Sequence, residues 1–418
     1  MGAPARGLGA SGSPLMLERN EKKILAATVV AHALDHVSEL SFPAVALLIS
    51  QEFFAGQENY ERIGFAAFVA AFCFGVANLP SGRLVDWIGS RRVMLLYLLG
   101  TGLALILTGL APSYPAFLFA LGLLGSLAGL YHPSGTTLIS LGVREQGRAL
   151  GIHGVGGNLG LALSPFLTAA LAAAFGWRHA YFALSLPFFI LALLIWLGKV
   201  EAHRREATPD PNPGAAPEKP YLLLPLLILF AMAIMNGLCY RGFLTFLPTY
   251  FAKSIHTALP GREVLLAGSL STAVLLLGMF GQFLGGHFAD RWSPAKIFAG
   301  VFLLSSPILF ILSRLQNLPL LFAAAGFAFL YFANQPVGNV LLVRLTSAPV
   351  RGRIFGLFFF VNFSAGSFMG WIAGLIGQRL SLSAIFSVLA LCLFLAGAIG
   401  LLFILSLRGK QMPGADSS

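Results

Sequence analysis

Long apolar runs, separated by short polar segments, fill this chain between residues 24 and 407. A helix rises about 1.5 Å per residue, so about 20 apolar residues cross the hydrocarbon core of a bilayer. Continuous runs indicate helices, because the strands of a membrane barrel alternate apolar and polar positions. The pattern predicts twelve spans. They cover residues 24–49, 63–81, 93–111, 115–141, 149–174, 179–198, 221–251, 264–286, 297–313, 318–343, 354–377 and 383–407.

Composition indicates the same class of protein. Only 10% of the residues are charged and 57% are hydrophobic, whereas soluble domains contain about 25% charged residues. We therefore expect an all-α membrane protein with twelve transmembrane helices in a lipid bilayer. The three cysteines lie inside predicted spans without metal-ligand spacing, and the chain has no G-x-x-x-x-G-K-[ST] phosphate-binding sequence. Neither a metal nor a cofactor is expected.

The formal net charge of +11 suggests nucleic-acid binding at first sight, but the positions of the basic residues explain it better. Of the 27 lysines and arginines, 20 fall on the side of the N-terminus, six fall on the opposite side and Arg241 lies within a span. Basic residues concentrate on the cytoplasmic side of membrane proteins. Both termini are therefore predicted to be cytoplasmic, with no nucleic-acid partner.

A polar segment rich in proline divides the spans six and six. Two six-helix bundles are thus predicted on either side of a mobile linker. The predicted organisation is a disordered cytoplasmic N-tail (1–22), an N-terminal six-helix bundle (23–198), a cytoplasmic linker (199–220), a C-terminal six-helix bundle (221–407) and a cytoplasmic C-tail (408–418).

The two halves share landmarks at a nearly constant offset. Such agreement indicates an internal repeat, and two repeats around a central site are typical of alternating-access carriers. We therefore expect the bundles to be pseudo-symmetric. The landmarks are Gly82–Asp86 with Gly286–Asp290 at an offset of 204, Pro133 with Pro336 at 203, and Gly147–Gly151 with Gly352–Gly356 at 205.

Four ionisable side chains lie on one face of the first span. His32, Asp35, His36 and Glu39 are spaced i, i+3, i+4 and i+7, which places them within one arc of a helix. Charged groups at this depth usually face protein or a water-filled cavity and mark a route for ions, protons or substrate. The stripe is interpreted as proton-coupling machinery. The alternative is an internally satisfied network that fixes helix packing.

Arg241 is the basic residue inside a span of the second half. The repeat offset places it at the counterpart of His36, so it should face Asp35 across the central axis. Its guanidinium group could bind an anionic substrate or neutralise Asp35 or Glu39 in one conformation. A snorkelling side chain that reaches the headgroups is the alternative.

The loop after the second span resembles a known family. Gly82-Arg83-Leu84-Val85-Asp86-Trp87-Ile88-Gly89-Ser90-Arg91-Arg92 resembles the G-x-L-a-D-r-x-G-r-[KR] signature of the major facilitator superfamily. The second copy is degraded, with Ser293 and Pro294 in place of Gly and a basic residue. His32-x-x-Asp35, Tyr131-His132-Pro133 and the Gly156–Gly160 run resemble the fosmidomycin-resistance type of efflux carrier.

Two-fold pseudosymmetry would place each signature loop beside the opposite bundle. Asp86 should then lie near Arg353, and Asp290 near Arg148, at helix N-termini that favour a carboxylate. Such pairs would form a cytoplasmic latch. The candidate gate residues are Gly82, Asp86, Gly89, Arg91, Arg92, Arg148, Asp290, Arg291 and Arg353.

Further polar residues inside the spans are candidates for binding substrate together with Arg241. A structural role in helix packing is the alternative for each histidine, and the sequence does not say which polar residues face inward. The candidates are His132, His153, Asn158, Asn236, Asn334 and Gln335.

The leading functional hypothesis is a secondary active transporter that exports a small polar or anionic compound in exchange for protons. Uptake of a small organic anion by proton symport is the first alternative. A multi-span membrane enzyme using His32 and Asp35 is a rival from another class, and a sensor without transport is a third. The family resemblance implies a bacterial inner membrane, and we expect a monomer.

Overall fold

The computed structural model describes residues 17–200, 223–256, 261–346 and 348–407. Within these ranges the chain forms fourteen α-helices and no strand. The helices are α1 (Arg19–Phe53), α2 (Tyr60–Ile88), α3 (Ser90–Leu110), α4 (Tyr114–Ala128), α5 (Tyr131–Gly142), α6 (Gln146–Phe175), α7 (Trp177–Leu197), α8 (Leu223–Ser254), α9 (Glu263–Arg291), α10 (Pro294–Leu312), α11 (Asn317–Phe332), α12 (Asn334–Leu345), α13 (Ala348–Arg379) and α14 (Leu382–Ser406).

These helices make twelve segments long and apolar enough to cross a membrane, because α4 with α5 and α11 with α12 each form one segment. The predicted all-α membrane fold with twelve transmembrane helices is confirmed. The expected tails and linker, including most of 199–220, lie largely outside the described residues.

The first two helices illustrate how far a helix can extend beyond its predicted span. Helix α1 begins at Arg19, inside the segment expected to be a tail, because Glu18 and Glu21 form a capping box there. Helix α2 continues to Ile88, seven residues beyond the predicted end, and stops where Gly89 adopts a φ of 87°. An apolar run marks the part of a helix that lies in lipid, and the helix itself can extend into water.

The fourth and tenth spans are also interrupted, although the sequence pattern predicted continuous helices. The breaks fall at Gly129–Leu130 and at Ala333, just before Pro133 and Pro336. Proline lacks an N–H group and its ring clashes with the carbonyl four residues earlier, which breaks a helix at this point. Helices α5 and α12 both have 12 residues and begin 203 residues apart, so the break itself is repeated.

Buried apolar side chains pack inside both bundles, α1–α7 and α8–α14, and form one continuous cluster. Rings such as Phe243 and Phe327, with centroids 4.8 Å apart, pack inside the second bundle. The bundles meet where α1 faces α8, α2 faces α13 and α6 faces α9. We call the side on which α1 begins the proximal side, and the side on which it ends the distal side.

The bundles touch closely towards the distal side. A Cβ atom added to Gly64 of α2 would lie 2.3 Å from the carbonyl oxygen of Gly370 in α13. At the other contact, a Cβ atom on Gly268 of α9 would lie 2.6 Å from the carbonyl oxygen of Pro165 in α6. Glycine is required at both crossings because the backbones leave no room for a side chain.

The corresponding helices are separate towards the proximal side. Cβ atoms added to Gly82 of α2, to Gly151 and Gly154 of α6, or to Gly356 of α13 would meet no atom within 4 Å. The described residues therefore form a molecule that is closed on the distal side and open on the proximal side.

Candidate functional site

The four ionisable residues of α1 share one face, as their spacing predicted, and that face points into protein. Asp35 has no exposed surface and His32 is 9% exposed. His36 and Glu39 lie closer to the other bundle, with side chains 15% and 10% exposed. None of the four side chains is turned outwards to lipid.

Glu39 connects the two bundles. One of its carboxylate oxygens lies 2.8 Å from Nδ1 of His36, and the other lies 2.9 Å from a terminal nitrogen of Arg241 on α8. The angle of the second contact is poor for a hydrogen bond, so it is a charge contact. The partner of Arg241 is therefore Glu39, one helical turn from Asp35, although the repeat offset predicted that Arg241 would face Asp35.

Asp35 is buried, and within the described residues neither of its carboxylate oxygens has a hydrogen-bond partner. Its nearest ionisable neighbour is His132, whose Nε2 lies 3.6 Å from Oδ2 of Asp35. The His132 side chain is 31% exposed, whereas the carboxyl group of Asp35 is fully buried. A buried carboxylate without partners is costly, so this group favours a proton or a cation beside it.

Contacts with His153 fix the position of the His32 ring. Its Nδ1 donates to the backbone carbonyl of His153, 2.9 Å away, and its ring stacks on the His153 ring with centroids 4.1 Å apart. Gly157 of α6 provides the space, because a Cβ atom there would lie 2.4 Å from the His32 ring. The glycines of α6 thus allow the histidine stripe to pack closely against this helix.

His153 supports the cluster through Tyr131, whose role the sequence analysis missed. The Tyr131 hydroxyl donates to the carbonyl of Thr28 at 2.6 Å and lies 2.7 Å from Nε2 of His153. Since a hydroxyl carries a single proton, Nε2 of His153 is the donor in the second bond. Tyr131 is adjacent to His132 in sequence, and the start of a new helix at Tyr131 directs its side chain back to α1.

A small cavity of about 40 Å³ lies beside Glu39 and Arg241. Ser38, Phe74 and Gly125 contribute to its lining. A space of roughly 10–15 Å³ is enough for one water molecule when polar partners are present. The cavity is therefore large enough to hold water beside the charged pair at the interface of the bundles.

The asparagine and glutamine candidates for substrate binding differ from one another in burial and in hydrogen-bond partners. Asn236 accepts a bond of 2.7 Å from the Tyr331 hydroxyl and donates to Asn362 at 3.3 Å, which links α8, α11 and α13. Asn334 is buried and donates to the carbonyl of Tyr331. Asn158 is half-buried, and Gln335 is exposed. The structure thus brings His132, His153 and Arg241 to the stripe on α1 and leaves Gln335 outside it.

The candidate gate residues lie at the open proximal end. Asp86 and Arg353 are exposed, and Asp86 forms no ion pair with the described residues. Arg148 lies 3.8 Å from Glu145 of its own bundle. Arg91 donates to the carbonyl of Trp196 at 2.9 Å. The side chain of Asp290, which was predicted to pair with Arg148, lies outside the described part of the chain.

The other gate candidates form no contact across the cleft with residues that the structure describes. Arg92 and Arg291 are exposed, Gly89 supplies the positive φ that ends α2, and Gly82 borders open space. Since the proximal side is open, the predicted latch stays a prediction for a conformation in which this side is closed.

Two matching six-helix bundles that enclose buried charges, and that open to one side, define the class of membrane carriers. Residues 30–367 match the profile of the Major Facilitator Superfamily. The chain belongs to this superfamily.

The chain is similar to curated relatives from Escherichia coli. It is 28% identical over 339 residues to the Multidrug resistance protein MdtG of strain UMN026 / ExPEC (O17:K52:H18), which covers 76% of this chain and 78% of that protein. It is 27% identical over the same length to the protein of that name from strain K12 / DH10B, with the same coverage.

Solved structures show the same fold at low sequence identity. A bacterial homolog of the human lysosomal transporter Spinster, in an inward-facing and unoccupied conformation, has a TM-score of 0.81 at 15% identity and covers 96% of this chain and 100% of that chain. A D-xylose-proton symporter has a TM-score of 0.74 at 14% identity and covers 95% of this chain and 99% of that chain.

Proposed function

We propose that this transporter exports a small polar or anionic compound in exchange for protons by alternating access. The observation that carries the proposal is Asp35, a fully buried carboxyl group that has no hydrogen-bond partner among the described residues and lies 3.6 Å from the partly exposed His132. The relatives named as multidrug resistance proteins support export as the direction.

Competition at Asp35 would couple the two fluxes. An unprotonated Asp35 accepts hydrogen bonds from a polar substrate that enters from the open proximal side. A proton that arrives from the distal side in the opposite conformation would neutralise Asp35 and release the substrate. Because substrate and proton use the same group in turn, they move in opposite directions.

The pair of Glu39 and Arg241 favours a second candidate, uptake of an organic anion by symport. A proton on Glu39 would release the guanidinium group of Arg241, which lies 2.9 Å away, for a carboxylate or phosphonate. In that case the proton helps the anion to bind and both move together. The sign of coupling therefore distinguishes the two candidates.

The membrane orientation completes the proposal. The proximal side, where 20 of the 27 basic residues lie in sequence, would face the cytoplasm of a bacterial cell, with the protein in the inner membrane as a monomer. The open conformation described here would then admit substrate from the cytoplasm. Closure of this side would bring Asp86 towards Arg353 and form the latch.

Transport into everted membrane vesicles tests the sign of coupling, with the phosphonate fosmidomycin as the probe. Antiport predicts that an acidic vesicle interior drives accumulation of fosmidomycin, and that Asp35→Asn abolishes the effect of the gradient. Glu263→Gln, which removes an exposed carboxylate at the start of α9, should keep it. Loss of fosmidomycin from acidic vesicles would support symport instead, and a gradient response retained by Asp35→Asn would contradict the role of Asp35.

A further inference from the structure

The side chains of His32, His36 and His132 converge in the first bundle. Each offers one ring nitrogen, and these three atoms lie within 4.8 Å of one another. His32 and His36 come from adjacent turns of α1, and His132 comes from the start of α5. The break that Pro133 imposes on the fourth span is what directs His132 to α1.

The distances suit a metal ion after a small movement. A cation at the centre of a triangle with sides of 4.8 Å would lie about 2.8 Å from each nitrogen. Zinc binds imidazole nitrogen at about 2.0–2.1 Å, so each ring has to move inwards by about 0.7 Å. Two of the three rings belong to partly exposed side chains, which allows such a movement.

In the rings of His32 and His36, hydrogen bonds occupy Nδ1 and leave Nε2 free to bind a metal ion. Nδ1 of His32 donates to the carbonyl of His153, and Nδ1 of His36 lies 2.8 Å from a carboxylate oxygen of Glu39. In both rings Nε2 then keeps its lone pair. Histidine ligands of metal ions almost always donate their other nitrogen to a carboxylate or carbonyl in this way.

Asp35 supplies a second, independent observation. It has no exposed surface, and neither of its carboxylate oxygens has a hydrogen-bond partner in the part of the chain that the structure describes. Its Oδ2 lies 3.6 Å from Nε2 of His132, so the carboxylate stands at the edge of the histidine group. A divalent cation here would receive three imidazoles and the negative charge that otherwise lacks a partner.

The charged groups near the three histidines are also compatible with a bound cation. Arg241 is the cation of the opposite bundle near this group, and Glu39 lies between it and His36. Glu39 thus compensates the positive charge of Arg241, which would otherwise repel a cation bound by the histidines. Imidazole ligands favour zinc, copper, iron and nickel over magnesium and calcium.

We propose that His32, His36 and His132, beside the buried carboxylate of Asp35, form a binding site for a divalent transition-metal cation, reached from the open proximal side. This departs from the sequence expectation that the chain binds no metal. Metal binding at this site is independent of the proposed export function, since it is measured without a substrate or a gradient.

Metal binding to the purified full-length protein in detergent tests the proposal. The protein should carry an affinity tag without histidine, and the probes are Co²⁺ and Zn²⁺, with Mg²⁺ as a comparison. We expect one Co²⁺ per chain with the visible absorption of a low-coordinate site, displaced by Zn²⁺ and not by Mg²⁺. His36→Gln and His132→Gln should each weaken binding about 10-fold or more.

His179→Gln is the matched control, because His179 is exposed on α7 away from the cluster. It should bind Co²⁺ as the unchanged protein does. Size-exclusion profiles and thermal unfolding without metal establish that each variant is folded. Asp35→Asn should also weaken binding and should change the Co²⁺ absorption spectrum. Absence of stoichiometric Co²⁺ binding, or binding that folded His36→Gln and His132→Gln retain, would overturn the proposal.

Discussion

At the scale of single residues, the most consequential contact is the charged pair between Glu39 and Arg241. Their side chains are only 10% and 7% exposed, so each charge depends on the other. Buried pairs contribute little net stability, but removal of one partner leaves an uncompensated charge and is costly. The pair also joins α1 of one bundle to α8 of the other, so it reports on both stability and conformation.

Substitution of Glu39 and substitution of Arg241 should therefore destabilise the protein to different extents. We expect Glu39→Gln to lower the free energy of unfolding by about 3–5 kcal/mol, because the guanidinium group of Arg241 keeps its charge. Arg241→Gln should cost less, because a proton can neutralise Glu39. Thermal unfolding in detergent measures both effects.

The double variant Glu39→Gln/Arg241→Gln is the matched control for this pair. It should be more stable than Glu39→Gln alone, since no buried charge lacks a partner. Additive losses in the double variant would show that the contact between Glu39 and Arg241 is not formed in the folded protein.

At the scale of helices, close packing on the distal side holds this conformation. The Gly64 backbone of α2 contacts Gly370 and Gly374 of α13, and the contacts leave no space for a methyl group. Interfaces of small residues let membrane helices approach closely, because lipid tails provide no hydrophobic drive for association. A larger side chain must therefore push α2 and α13 apart.

Gly64→Leu should shift the protein towards a conformation that is open on the distal side. Overpacking typically costs about 1–3 kcal/mol, which corresponds to a shift in the equilibrium of roughly 5- to 150-fold. Spin labels at Arg62 and Arg379, both exposed near the distal ends of α2 and α13, measure the separation by double electron–electron resonance. The native cysteines are replaced by serine in this background.

Gly326→Leu provides the matched control on α11, because a Cβ atom at Gly326 meets nothing within 4 Å. The distance between the labels should stay unchanged in that variant. An unchanged distance in Gly64→Leu as well would contradict the assignment of this crossing as a distal contact that opens.

At the scale of the whole molecule, the distal side is also closed by a pair of charges between the bundles. Glu58, in the loop before α2, contacts Lys253 near the end of α8. Partial burial acts to raise the pKa of Glu58, but hydrogen bonds from Lys253 and Tyr60 outweigh it and hold the pKa below its ordinary value. The pair thus remains ionised at neutral pH.

The sign of this pKa shift predicts the pH dependence of the distal contact. Because the pKa is lowered, the contribution of Glu58 is complete above the ordinary glutamate pKa of about 4.3 and is lost as the pH falls through the lowered pKa. Between pH 5 and pH 8 this pair should not respond. A conformational response in that range would have to arise elsewhere.

Glu58→Gln should open the distal side modestly at every pH in this range. Pairs that are partly exposed contribute about 0.2–1 kcal/mol, or a change of up to about five-fold in the conformational equilibrium. The same spin labels measure it. Lys253→Gln should have an equal effect, and the double variant no further effect. A response to pH between 5 and 8 that Glu58→Gln removes would contradict this account.

Much of this architecture could be predicted from the sequence. The apolar runs determined twelve membrane helices, because the backbone in lipid has to satisfy its own hydrogen bonds. The repeated landmarks indicated two matching halves, and the spacing of His32, Asp35, His36 and Glu39 placed them on one face. These features depend on local periodicity, which one helix expresses without help from its neighbours.

Tertiary structure alone decided the partners of these residues. The choice of Glu39 for Arg241, the approach of His132 to Asp35 and the bond of Tyr131 to His153 depend on how α1, α5, α6 and α8 pack, and on the break before Pro133. Likewise, the proximal side is open because the close helix crossings between the bundles lie towards the distal side. His132 and Asp35 are more than 90 positions apart in the sequence, and Arg241 and Glu39 are over 200 positions apart. No local pattern encodes the distance between two helices.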